Sequence, residues 1–245
     1  MFIFLQYSAP DKYGMTEITT QLIDVKQRIR DAASTYGRDP DSIQLLAISK
    51  TRPSSDIEAA YRSGQRAFGE NYLQDALPKI EALAHLEIEW HFIGAIQSNK
   101  TADIARHFSW VHTLEREKIA RRLNDQRPAE LPPLNVFIQV NISGEASKSG
   151  IKPTEVASLA AIIAELPNIN LRGLMAIPSP ETTFEAQSSN FKALFGLQTQ
   201  LIEQGFQLDN LSIGMSNDLE AAVAEGATWL RIGSAIFGQR SPAKS

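Results

Sequence analysis

Eight short apolar runs, each followed by a helical or loop segment, constrain the fold of this chain more than any other feature. They cover residues 43–49, 66–71, 89–94, 110–114, 136–141, 171–177, 211–215 and 229–233. Most are rich in β-branched, leucine and aromatic residues, and all are too short for a typical helix. The segments between them carry helix signals at their ends. Residues 54–63 open on Ser54-Ser55-Asp56 and stop at Gly64. Residues 153–165 start on Pro153 and end before Pro167, and 183–204 close at Gly205. Strands joined by helical crossovers run parallel. Eight such units predict an α/β fold, a (β/α)8 TIM barrel in a single domain. The length of 245 residues suits one such barrel, typically about 250 residues. An open doubly wound sheet is the rival, but no G-x-G-x-x-G follows the first run.

An extra helix precedes the first strand. Ile18, Leu22, Val25, Ile29 and Ala33 share one face over 16–36, with Thr16 as N-cap and Gly37 as the stop. Residues 1–14 fall outside this pattern, and their apolar part is too short for a signal peptide. They are expected to be a poorly ordered extension upstream of a natural start at Met15. The barrel then occupies 15–240 and a tail 241–245. The proline-rich stretch 127–133 reads as a surface connection, because the alternation resumes after it.

Bulk chemistry excludes several functions. A net charge of −4 gives no general attraction to nucleic acid or to an anionic membrane surface. With no cysteine, thiolate nucleophiles, disulfides and Cys-ligated zinc are ruled out. No apolar run approaches the roughly 20 residues of a membrane-spanning helix. A cytoplasmic location is the expectation. His85, His91, His107 and His112 lack metal-ligand spacing, and His91 reads as a core histidine.

Chemistry in a barrel lies at the C-terminal ends of its strands. There the first run delivers Lys50 from a desolvated interior, where a lysine is more easily neutral and nucleophilic. A solvated strand-end lysine is the alternative. Ser216 follows strand seven, and Gly233 and Ser234 follow strand eight, the usual place for a phosphate. Taken singly, Ser216 reads as an N-cap and Gly233 as a turn. Arg231 sits between Leu230 and Ile232 in an apolar strand and needs a partner or a ligand. A barrel carboxylate would serve as that partner. Lysine, phosphate cradle and inward arginine together describe a pyridoxal phosphate (PLP) site. Lys148, in the polar run 143–150, could approach as a lid residue.

Several stretches in matching order carry a family resemblance. They are 47–53 (AISKTRP), 68–72 (FGENY), 90–94 (WHFIG), 97–100 (QSNK), 147–150 (SKSG), 172–177 (RGLMAI), 214–216 (GMS) and 231–238 (RIGSAIFG). The sequence resembles the pyridoxal phosphate homeostasis proteins, a family similar to the N-terminal barrel of bacterial alanine racemases. The resemblance runs from about Met15 to Arg240. It implies that Lys50 holds PLP as an aldimine and that Ser216, Gly233 and Ser234 contact the phosphate. It also implies that Arg231 faces the pyridine nitrogen and that Asn71 and Met175 line the ring. Ser234 stands where the family often has threonine, and Ala95 where proline is usual.

The same resemblance bears on catalysis. Racemases of similar fold add a second domain with an opposing catalytic tyrosine, for which this chain has no room after strand eight. Racemisation needs acid–base groups on both faces of the carbanion, and Lys50 is the one evident candidate. A non-enzymatic PLP carrier is therefore expected, serving intracellular PLP homeostasis and amino- and keto-acid balance. Apo PLP-dependent enzymes are its candidate partners. A PLP-dependent amino-acid racemase, or a similar small-substrate enzyme, is the alternative. A monomer is expected, because the racemase dimer relies on the second domain.

Overall fold

The computed structural model describes residues 16–145 and 148–239. The extension 1–14 and the tail 241–245 lie outside the described residues. Eight parallel strands close into a barrel in chain order, with β8 returning to β1. The strands are β1 (Gln44–Ile48), β2 (Ala67–Glu70), β3 (Glu89–Phe92), β4 (Trp110–Leu114), β5 (Leu134–Gln139), β6 (Ile169–Met175), β7 (Asn210–Ser212) and β8 (Trp229–Ile232). The (β/α)8 barrel is the predicted fold.

Strand boundaries moved for local reasons. β5 and β6 begin earlier than the apolar runs suggest, because Leu134 and Asn135 pair with Ile169 and Asn170 across the ladder. β7 stops at Ser212, well short of the expected 215. Gly214 turns the chain there at φ +88, and a Cβ on it would lie 2.5 Å from Ala222 Cβ. Only glycine takes that turn without strain.

The predicted leading helix is α1 (Glu17–Thr35), and the Thr16 hydroxyl caps it by accepting from the Thr19 N–H at 3.2 Å. Its buried face is Leu22, Val25, Ile29, Ala32 and Ala33. These side chains join the large core between the barrel and its helices. Arg28 adds an ion pair to Glu220 at 2.8 Å. The connection 127–133 is pinned rather than loose: Arg127 donates to the carbonyls of Ala105, Phe108 and Pro132.

A second, smaller core fills the barrel itself. Leu46, Ile48, Ala67, Trp110, Phe137, Met175 and Trp229 form it. Trp110 stacks on Phe137, with ring centroids 5.4 Å apart. This plug supports the C-terminal mouth, where the strand ends release their loops.

Candidate functional site

Lys50 emerges half-buried at the end of β1. The next residue, Thr51, has φ +65 and is the only non-glycine residue with positive φ among the described residues. A β-branched residue in that region is strained by roughly 1–2 kcal/mol. The turn is held from beneath. Ser49 donates its hydroxyl to Glu70 Oε1 at 2.6 Å, and Lys79 Nζ donates to the same oxygen at 2.8 Å. Lys79 also donates to the Ser49 carbonyl at 3.0 Å. From the other side, Arg52 donates to the Gly238 carbonyl at 2.6 Å. The backbone around Lys50 is thus clamped on both flanks.

A cavity of about 520 Å³ opens at this mouth. Lys50, Asn71, Ser216, Arg231, Gly233 and Ser234 all line it. Asn71 is brought in by close backbone approach: a Cβ on Gly94 would fall 1.9 Å from the Asn71 carbonyl oxygen. The buried Asn71 Oδ1 has no hydrogen-bond partner among the described residues. Such an atom is costly in a native fold and marks a place for a ligand.

The strand seven and eight loops meet at their hydroxyls. Ser216 Oγ lies 3.2 Å from Ser234 Oγ. Ser216 is not the N-cap that its position suggests. Helix α8 (Leu219–Ala224) takes Asp218 at that position. Gly233 lies directly before α9 (Ser234–Phe237), and a Cβ there would sit 3.3 Å from Ile48 Cβ. Its lack of a side chain lets the loop after β8 pack closely on the end of β1.

Arg231 is 5 % exposed. The expected alternative, a barrel carboxylate, is not its partner among the described residues. Nη1 donates to Ser212 Oγ at 2.8 Å and Nη2 to the Ala176 carbonyl at 2.9 Å. Burial lowers its pKa to about 10, with the charge of Asp218 opposing the shift. It therefore remains a cation at neutral pH, flanked by neutral acceptors.

Other sequence-based expectations met different surroundings. Met175 does not line the cavity. It ends β6 fully buried in the barrel plug, beside Ile48, and Met215 forms the cavity wall in its place. Lys148 stays outside the cavity, its carbonyl accepting from Asn141 Nδ2 at 3.2 Å. The Glu70–Lys79 pair was missed by sequence reasoning. One signal was present: Lys79 falls three residues after the buried Ala76 in α3 (Leu73–Ala82), on the stripe that faces the barrel.

Residues 22–241 match the family profile described as the alanine racemase N-terminal domain. The pyridoxal phosphate homeostasis protein of Pseudomonas aeruginosa is 55% identical over 226 residues, covering 92% of this chain and 97% of its own. The chain belongs to the pyridoxal phosphate homeostasis protein family. The Escherichia coli K12 member is 52% identical over 237 residues, covering 94% of this chain and all of its own. PipY of Synechococcus elongatus, solved with PLP bound, is 32% identical with a TM-score of 0.79. That match covers 90% of this chain and 100% of PipY. Alanine racemase from Corynebacterium glutamicum shares the barrel fold at 15% identity and a TM-score of 0.71, over 94% of this chain and 62% of the racemase.

Proposed function

We propose that this chain binds PLP covalently through Lys50 and acts as a carrier of the cofactor rather than as an efficient racemase. The convergence of Lys50, Asn71, Ser216, Arg231, Gly233 and Ser234 on one cavity carries this reading. The orphaned Asn71 Oδ1 and the opposed serine hydroxyls fit a phosphorylated, polar-edged ring. PLP bound in PipY supports the same cofactor. When bound, PLP supplies an electrophilic aldehyde on an electron-withdrawing ring.

The chain's own residues would divide the work. Lys50 supplies the amine for attachment. Ser216 and Ser234 offer hydroxyl donors to a phosphate, and Gly233 leaves room beside its backbone. Asn71 meets the polar edge of the ring. Arg231 presents N–H donors to the pyridine nitrogen and, staying charged, gives that nitrogen no proton. That weakens the ring as an electron sink, which suits storage better than carbanion chemistry.

The carrier reading has a second support. No Tyr, His, Cys, Asp or Glu lines the cavity among the described residues. A two-sided proton transfer has no evident second group there. Titration with PLP, borohydride reduction and peptide mapping tests the site. Label is expected on Lys50, and Lys50→Ala should lose it at low PLP. Single-turnover loss of α-deuterium from a panel of amino acids tests the role. Negligible exchange is expected, and fast stereospecific exchange would make this chain an enzyme.

A further inference from the structure

A line of hydrogen-bonded side chains runs through the barrel interior from its N-terminal end to Arg231. Glu89 Oε1 lies 2.8 Å from His91 Nε2. His91 Nδ1 lies 2.9 Å from His112 Nε2, and His112 Nδ1 lies 2.9 Å from Ser212 Oγ. Ser212 Oγ in turn meets Arg231 Nη1 at 2.8 Å. These groups come from β3, β4, β7 and β8. His91, His112 and Ser212 are fully buried, whereas the Glu89 side chain is 42% exposed. Glu89 lines a second cavity of about 480 Å³, at the end of the barrel opposite Lys50.

The proton positions along this line follow from its two ends. A guanidinium only donates, and an ionised carboxylate only accepts. Burial of Glu89 alone would raise its pKa. The hydrogen bond from His91 and the charge of Arg172 outweigh that and hold it below the ordinary carboxylate value. Burial lowers His91, although Glu89 opposes the shift. Burial, with the Arg231 cation nearby disfavouring a second positive charge, lowers His112 further. Both rings are therefore neutral at neutral pH.

A neutral His91 facing a carboxylate must carry its proton on Nε2, leaving Nδ1 to accept. His112 then donates from Nε2 and accepts at Nδ1. The proton that His112 Nδ1 receives comes from the Ser212 hydroxyl. The Ser212 oxygen is left with lone pairs toward Arg231. The reverse order would set the bare Nε2 of His91 against the Glu89 carboxylate. Every bond is satisfied in one direction only.

We propose that Glu89, His91, His112 and Ser212 are positioning residues for Arg231, a proton-ordered chain that fixes the guanidinium plane from the far end of the barrel. The proposal rests on the reading of the mouth cavity as a PLP site. Ser212 and the Ala176 carbonyl hold Nη1 and Nη2, so the guanidinium cannot turn away from the cavity. Polarity along the line makes Ser212 a better acceptor than an isolated hydroxyl, because its own proton is committed to His112.

Two measurements test this, and they fail separately from the PLP reading. In cofactor-free wild-type protein labelled with ¹⁵N-histidine, His91 and His112 should both be neutral, with the proton on Nε2, from pH 6.5 to 8. A proton on Nδ1 of either ring would overturn the ordered chain. In PLP titrations at a temperature where each variant is fully folded, Glu89→Leu and Ser212→Ala should weaken PLP about tenfold, the scale of one hydrogen bond to a charged group. Glu89→Gln keeps the acceptor and should stay within about threefold of wild type. A shifted absorption maximum of bound PLP should accompany the two weak binders. Wild-type affinity and spectrum in Glu89→Leu, with only its melting temperature lowered, would make the line a structural filler and sink the proposal. Failure of wild-type protein to bind PLP at all would instead remove the reading on which it rests, while the ¹⁵N result would still stand or fall alone.

Discussion

Thr51 and Lys79 show how single residues prepare the site. Thr51 is held at φ +65 by its neighbours, since a free threonine would leave that region. Thr51→Gly should relieve the strain, against some gain in unfolded-chain entropy, and raise the melting temperature by about 1–3 °C. A scanning calorimetry trace showing a fall of several degrees would mean that the threonine side chain stabilises the turn. Lys79 and Glu70 form an ion pair shielded from solvent, with side chains 10% and 0% exposed. Removing one partner strands the other. Lys79→Met should destabilise the fold by about 3–5 kcal/mol, and adding Glu70→Gln should recover part of the loss in denaturant unfolding. Because both side chains hold Ser49, the single variant should also bind PLP more weakly.

At the scale of elements, the loops leaving β2 and β3 meet at a tight juncture beside the cavity. Gly94 packs against the backbone of Asn71 so closely that even a methyl group overlaps the carbonyl. Gly94→Ala must push the two strand ends apart. It should lower stability by several kcal/mol, on the order of the larger overpacking costs, and weaken PLP by displacing Asn71. Urea unfolding and PLP titration of this variant would check both effects. The leading helix α1 contributes differently. Its Leu22 is fully buried against the barrel helices, and Leu22→Ala should cost about 2–5 kcal/mol. Because α1 packs against α9, which carries Ser234, and its Arg28 reaches the Ser216 carbonyl at 3.4 Å, PLP affinity should also fall in this variant, by less than in Gly94→Ala.

Across the whole molecule, the histidine pair links folding to acidity. Burial holds both rings below the ordinary histidine value of about 6.5, so the folded chain resists protons that the unfolded chain accepts. Stability is therefore complete above about pH 6.5 and falls as pH drops below it, by up to about 1.4 kcal/mol per pH unit for each ring. Glu89, held low in the fold, adds a further loss below its unfolded value of 4.5. Urea unfolding of wild type between pH 7.5 and 5 should show this slope, and His91→Gln together with His112→Gln should flatten it. An equal slope in the double variant would place the acid sensitivity elsewhere.

Much of the architecture was legible because it is local. Apolar runs, capping residues and the glycine and proline stops lie next to one another in the chain, and together they determined the alternation, the closed barrel and the leading helix. The position of Lys50 at a strand end was equally local. Resemblance carried most of the mouth residues. What tertiary structure alone decided are the contacts that join distant strands. His112 and Ser212 are 100 positions apart, and no spacing rule connects them. Lys79 had to cross from its helix to reach Glu70 and Ser49. Met175 falls in the plug and Met215 at the cavity wall, a division that strand register and the turn at Gly214 set. Sequence periodicity shows which residues face inward. Only closure of the barrel determines which inward residues meet, because that depends on the stagger between strands.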